Sequence, residues 1–212
     1  MGSLYIKDVL ETARKYIGYK EEPNNYNFFA ECLDGCDYFA PQKKQNVAWC
    51  AIFCDFCVMY STIPEDRDDE AKKYDAQYFL YQPSYNNYSA SANLFASYFK
   101  NAGAWYKEPE VGDMIFFDRG SGISHVGIVE DIDGCITTIE GNAGDMVQRK
   151  WYDFDNPNIA GFGRPRYDGT GYAGDDLPED PEPIEKTVNI DILVDAPEDI
   201  KVNVNIHRVN ND

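Results

Sequence analysis

An α+β fold, with helices first and an antiparallel β-sheet after them, is the class this 212-residue sequence predicts. Three observations predict it. Helical-period or long apolar segments all fall before Gly103. Short β-rich runs follow from Asp113 onward. Within those runs, Asp133-Gly134 stands between two apolar-alternating stretches, a strong hairpin signal.

The elements follow in order. Leu4, Ile6, Val9, Leu10, Ala13 and Ile17 recur near helical spacing and Gly18 stops them, so residues 4–17 read as an amphipathic helix. Residues 20–48 are polar, aromatic and turn-rich and read as loop with room for one short helix. Trp49 to Tyr60 is a nearly continuous apolar run without Gly or Pro, too long for a typical strand, and reads as a buried helix. A further helix covers Ser89 to Asn101 and ends at Gly103. The β runs are Asp113–Asp118, His125–Asp131, Cys135–Glu140, Val147–Phe154 and a short one near Phe162.

Past Tyr167 the texture changes. Residues 169–185 are Gly-, Pro- and acid-rich and read as a linker. Within residues 186–212, Val188, Ile190, Ile192 and Val194, then Ile200, Val202, Val204 and Ile206, alternate with mostly polar residues around Ala196-Pro197-Glu198-Asp199, as in a hairpin with one apolar face. A lone two-stranded hairpin is marginal in water. Three outcomes fit: it pairs with copies of itself, docks on the preceding domain, or begins a further domain. Self-association into a homo-oligomer is the preferred one.

A formal charge of −18 excludes phosphate binding as a main role, since nucleic-acid partners need clustered Lys and Arg. It also disfavours adhesion to acidic membranes. No apolar run reaches the roughly 18 residues of a membrane span, and the N-terminus has no basic segment followed by an apolar one. The expectation is a soluble chain that carries no export signal of its own.

Two residues invite chemistry. Cys50 begins the buried helix, where unpaired backbone N–H groups and the positive dipole end favour thiolate, the nucleophilic form. Equally, a buried cysteine is often only a small apolar side chain. Of the two histidines, His207 falls on the polar face of the C-terminal hairpin, whereas His125 opens a strand. If Asp133-Gly134 is a two-residue turn, Ile132 faces Cys135, Gly127 faces Glu140 and His125 faces Asn142. Alternation then projects His125, Glu140 and Asn142 from one face, an acceptor beside an imidazole being the orienting member of a nucleophile–base–orienter set. A slip of one residue would turn Glu140 away.

Five segments, in order, carry a resemblance: Ala48-Trp49-Cys50-Ala51-Ile52-Phe53, Val111-Gly112-Asp113-Met114-Ile115-Phe116-Phe117, Ser124-His125-Val126-Gly127-Ile128-Val129, Ile139-Glu140-Gly141-Asn142 and Gly161-Phe162-Gly163-Arg164-Pro165. From about residue 5 to 167 the chain resembles the CHAP family, the cysteine, histidine-dependent amidohydrolases/peptidases common in bacteriophage endolysins. The resemblance implies a papain-like catalytic domain over residues 1–168 and a peptidoglycan amide as substrate, with no cofactor. It implies Cys50 as nucleophile, His125 as general base, Glu140 as its orienter, and Asn142 as a further polar group orienting or supporting the oxyanion. Where the family has Val and then Ser-Trp after the nucleophile motif, this chain has Cys54-Asp55-Phe56-Cys57. Some relatives bind calcium just before the nucleophile; Asp34 and Asp37 are present here at a spacing that does not match.

Two other readings compete. Cys50, Cys54 and Cys57 have the C-x3-C-x2-C spacing of radical SAM iron–sulfur enzymes, but such ligands need an open loop and a repeated βα barrel, and the run here is helix-forming. A catalytically silent wall-binding module is the second, which fast labelling of Cys50 by a thiol probe would exclude. Asn87-Tyr88-Ser89 is a glycosylation sequon without a secretory context, and Trp49, Trp105, Tyr106 and Trp151 could line a groove or pack in the core.

Overall fold

The computed structural model describes residues 1–64 and 66–172. The hairpin expected over 186–212, its His207 and most of the expected linker lie outside the described residues. Within them the architecture is α+β, with five α-helices preceding a six-stranded antiparallel sheet.

Helix α1 is Ile6–Lys15, a 3-10 turn follows at Pro23–Asn25, and α2 is Phe28–Gly35. Asn27 caps α2, its side chain accepting from Ala30 N at 2.9 Å, which satisfies one of the helix's orphan donors. The expected helix at Trp49 is α3, Cys50–Met59, buried at every position. Helix α4, Asp69–Phe79, has no counterpart in the sequence reading. Helix α5, Ala92–Ala102, stops at Gly103, whose φ of 75° closes the C-terminus in the left-handed conformation that Gly adopts without strain.

The strands are β1 (Trp105–Tyr106), β2 (Met114–Asp118), β3 (Ile123–Asp131), β4 (Ile136–Glu140), β5 (Gln148–Tyr152) and β6 (Ile159–Gly163), in spatial order β1-β6-β2-β3-β4-β5. Side-chain alternation sorts them onto two faces. Met114, Phe116, Val126, Ile128 and Ile139 join the main core with the helices. Ile115, Phe117, Val129, Ile136 and Phe162 form a smaller cluster on the other face. Burying each such side chain contributes about 1.5–3 kcal/mol.

One pairing ties the segment before β2 to the chain after β6. Arg164 donates through Nε to Asp113 Oδ1 and through Nη2 to Asp113 Oδ2, both at 2.9 Å. Its guanidinium also lies 4.2 Å from the Tyr106 ring centre. This fork-on-fork geometry explains why an Asp and an Arg stand in two separate motifs.

The chain after β6 returns to α1. Ile6 N donates to Gly169 O at 3.2 Å and Lys7 N to Thr170 O at 2.9 Å. The first residues assigned to the linker therefore satisfy the free N–H groups at the start of α1.

Candidate active site

The site is assembled where β3 begins, β4 ends and α3 starts. Cys50 is the first residue of α3 and is 4% exposed. No side chain caps this helix, and its first backbone bond runs from Phe53 N to Trp49 O at 2.9 Å. The N–H groups ahead of Phe53 are therefore free to meet an oxygen developing negative charge.

Packing fixes that helix end. Trp49 is fully buried, its ring centre 5.4 Å from Phe29 and its indole N–H bonded to Glu21. Gly141, just past β4, lies against the same turn: a Cβ there would fall 2.5 Å from Phe53 Cβ and 2.9 Å from Trp49 Cζ3. Only glycine lets the end of β4 approach the start of α3 this closely.

His125 lies in β3 opposite Phe117, their ring centres 5.8 Å apart. Its Nε2 stands 2.7 Å from Glu140 Oε2. Cys50 lies near enough to the ring for its thiol to act on the imidazole and raise its affinity for a proton. The structure thus brings Cys50, His125 and Glu140 together.

Burial disfavours the imidazolium, but the bonds to Cys50 and Glu140 and their charges outweigh it, pushing His125 up to about 9. Glu140 is shifted the opposite way. Burial would raise it, yet its bonds to His125, Thr138 and Tyr152 hold it below the ordinary carboxylate value. Thr138 Oγ1 donates to Glu140 Oε1 at 2.7 Å. Tyr152 belongs to the same cluster, its ring 4.8 Å from Phe117. The sequence reading missed both, although the alternation that placed Glu140 on this face places Thr138 there too.

Gly127 has a specific part in the site. A Cβ on it would lie 2.6 Å from Glu140 Cγ. Its missing side chain is the space through which Glu140 reaches His125.

The expected register holds beside the site and fails at the turn. Ile128 pairs with Ile139 and Val129 with Thr138, the partners the Asp133-Gly134 turn predicts. Asp131 then pairs with Thr137 across a bulge, so Ile132 and Cys135 do not face each other as a two-residue turn requires.

Asn142 does not stand in a strand opposite His125. Strand β4 ends at Glu140, and Asn142 sits in the turn beyond it with φ 54°, a left-handed conformation that Asn tolerates. That turn is tied to the segment after α1, with Gly18 N donating to Val147 O and Val147 N to Tyr19 O, both at 2.9 Å. Among the described residues, no hydrogen bond joins Asn142 to Cys50, His125 or Glu140.

The remaining cysteines are free thiols. Cys54 and Cys57 follow Cys50 along a continuous helix and are fully buried, and burial pushes both thiols up, against metal ligation. Among the described residues, no group of three or more His, Cys, Asp or Glu is gathered for a metal. The carboxylates of Asp34 and Asp37, ahead of α3, have partners in their own chain. Asp34 accepts from Lys44 N at 2.8 Å and Gln45 N at 2.9 Å, and Asp37 pairs with Lys43. The sequon's acceptor is buried: Asn87 is 1% exposed and donates to Gln82 Oε1. Of the aromatics, Trp49 and Trp105 pack inward, the latter 5.3 Å from Phe116, while Trp151 is 64% exposed.

Comparison with known families meets this geometry at the same residues. Residues 42–142 match the family model of the CHAP domain. The match supports the CHAP family and spans Cys50, His125 and Glu140, though it is shorter than the 5–167 over which motifs recur. CHAP domains are in general amidohydrolases and peptidases, and a CHAP match points to a peptidoglycan hydrolase or amidase family. No curated protein and no solved structure matches the chain. Among the described residues no helix is long and apolar enough to cross a membrane.

Proposed function

We propose that this chain is an endolysin-like peptidoglycan hydrolase that cleaves a wall amide bond by a thiol mechanism through an acyl-enzyme. The observation that carries the reading is the bond between the His125 imidazole and the buried carboxylate of Glu140, with Cys50, first residue of α3, close enough to act on the same ring.

The Cys50 sulfur, its proton taken up by His125, attacks the amide carbonyl carbon. Free N–H groups at the start of α3 receive the oxyanion. The C–N bond breaks as the imidazolium gives its proton to the leaving amine, which leaves a thioester on Cys50. His125 then takes a proton from water, hydroxide displaces sulfur, and the acid is released. Glu140 holds the ring and offsets its charge throughout. Asn142, a short turn away from Glu140, is proposed as a group that meets substrate rather than one that orients His125.

In this reading the protein is made in a bacterial cytoplasm and reaches the wall after release by another agent. The test is hydrolysis of purified peptidoglycan by the parent and by Cys50→Ala. The variant should be folded and inactive; wall clearing at the parent's rate would overturn the assignment. Mass spectrometry of the fragments then distinguishes a sugar–peptide amide, a stem-peptide bond and a cross-bridge bond by their new termini.

A further inference from the structure

An open groove of about 540 Å³ lies away from the residues of the thiol site, between α4, the segment after it, α5 and Arg166. Its size is that of a small-ligand site. Four tyrosines line it, Tyr74 and Tyr78 from α4, Tyr81 after the helix and Tyr98 from α5. Tyr74 and Tyr78 are 48% and 44% exposed.

The polar lining is unusual in one respect. Gln77 is 2% exposed and its amide donates to Tyr38 O at 3.1 Å, while its Oε1 is a buried side-chain acceptor with no hydrogen-bond partner. An unmatched buried acceptor is rare in a native protein. Arg166 supplies no free charge. Its guanidinium lies 4.4 Å from the Tyr78 ring centre and 3.9 Å from that of Tyr81, and it donates to Tyr78 O at 2.6 Å.

Phenol faces with hydroxyl rims and neutral amides suit a ligand with apolar ring faces and hydroxyl or acetamido groups at its edges. A polyanion suits neither this lining nor a chain of charge −18. We infer that this groove binds a neutral N-acetylated saccharide, acting as a second wall contact apart from the thiol site. The choice of a glycan rests on the wall-hydrolase reading; the existence of the site does not.

One lining side chain links the groove to the nucleophile helix. Gln82, part of its lining, donates to Asp55 Oδ1 at 2.6 Å, and Ser89 donates to Asp55 Oδ2 at the same distance. A ligand in the groove would therefore rest on the network that holds the middle of α3.

The experiment is calorimetric titration of the full-length Cys50→Ala protein with an N-acetylglucosamine tetramer. Saturable binding is expected, weakened about tenfold or more by either Tyr78→Ala or Tyr74→Ala, with unchanged near-ultraviolet dichroism and unchanged labelling of Cys50 by a thiol reagent in the same substitutions on the parent. No binding of the tetramer overturns the inference, as does binding that neither substitution weakens. Preferential binding of a stem-peptide probe at the same residues overturns the saccharide class. Because Cys50→Ala cannot turn over substrate, binding that persists while the parent fails to cut walls would remove only the hydrolase reading.

Discussion

His125 Nε2 and Glu140 Oε2 are 2.7 Å apart, with side chains 12% and 2% exposed. An ion pair so enclosed is weakly screened by salt, and each partner holds the other's charge. Its consequences can be measured.

The first is a pH profile. With His125 raised from an ordinary 6.5 to about 9, hydrolysis should persist through neutral pH and fall on an alkaline limb near 9 as the imidazolium loses its proton. In Glu140→Gln one of the two partners that raise the imidazole is lost, so the limb should move down in pH and kcat should fall about 10–100-fold. Stability follows the same sign. The raised imidazole contributes fully below its unfolded value of 6.5, and that contribution is lost as pH rises through about 9. On the acid side, the contribution of Glu140 is present above its ordinary 4.5 and disappears as pH falls through its lowered native value. Denaturant titrations from about pH 2 to about 10 check both limbs.

Gly127→Ala should damage the site with little harm to the fold. The added methyl meets Glu140 Cγ at 2.6 Å, and a misplacement of about 1 Å at a catalytic group can lower rates about 100-fold. Wall hydrolysis should drop by about 10–100-fold. A crystal structure or NMR shifts of His125 would reveal the displaced carboxylate.

Cys54→Ser and Cys57→Ser separate packing from chemistry. Each puts a hydroxyl into a fully buried place in α3 and should lower stability by about 1–3 kcal/mol. Activity per folded molecule should stay near the parent's. Loss of turnover in a folded Cys54→Ser protein would mean that the thiols act beyond Cys50.

Asp113→Asn tests the clasp around the sheet. Asp113 is 1% exposed, and burial raises its carboxyl while Arg164 opposes that shift. Removing its charge leaves Arg164 half-paired and should lower unfolding free energy by about 3 kcal/mol. A chemical melt measures this, and kcat below the melting range should be preserved.

Much of this site could be read in advance because its parts obey simple periodicities. The apolar run at Trp49 had the length of a buried helix, and alternation carried Glu140 to the face of His125. The register survived a wrong turn because the bulge between Val129 and Asp131 absorbs the extra residue in the loop. Asn142 was misplaced because alternation was carried past the end of β4, where a positive φ breaks it. Helix α4 was invisible for the opposite reason. Its buried residues include Lys73, Asp75 and Gln77 while Tyr74 and Tyr78 face out, so apolar periodicity points the wrong way. The cue that was present is local: Asp68 caps the helix by accepting from Ala71 N at 2.7 Å, with Asp69 and Glu70 in the first turn. Strand β1, only Trp105–Tyr106, is too short to carry any period.

The most direct test of the central claim is to digest purified peptidoglycan with the parent and with Cys50→Ala, and to measure free amino groups and reducing sugar ends released. New amino groups from the parent, none from Cys50→Ala, and no new reducing ends are expected of an amide-cutting thiol enzyme. Equal release of amino groups by Cys50→Ala, or reducing ends in their place, would contradict it.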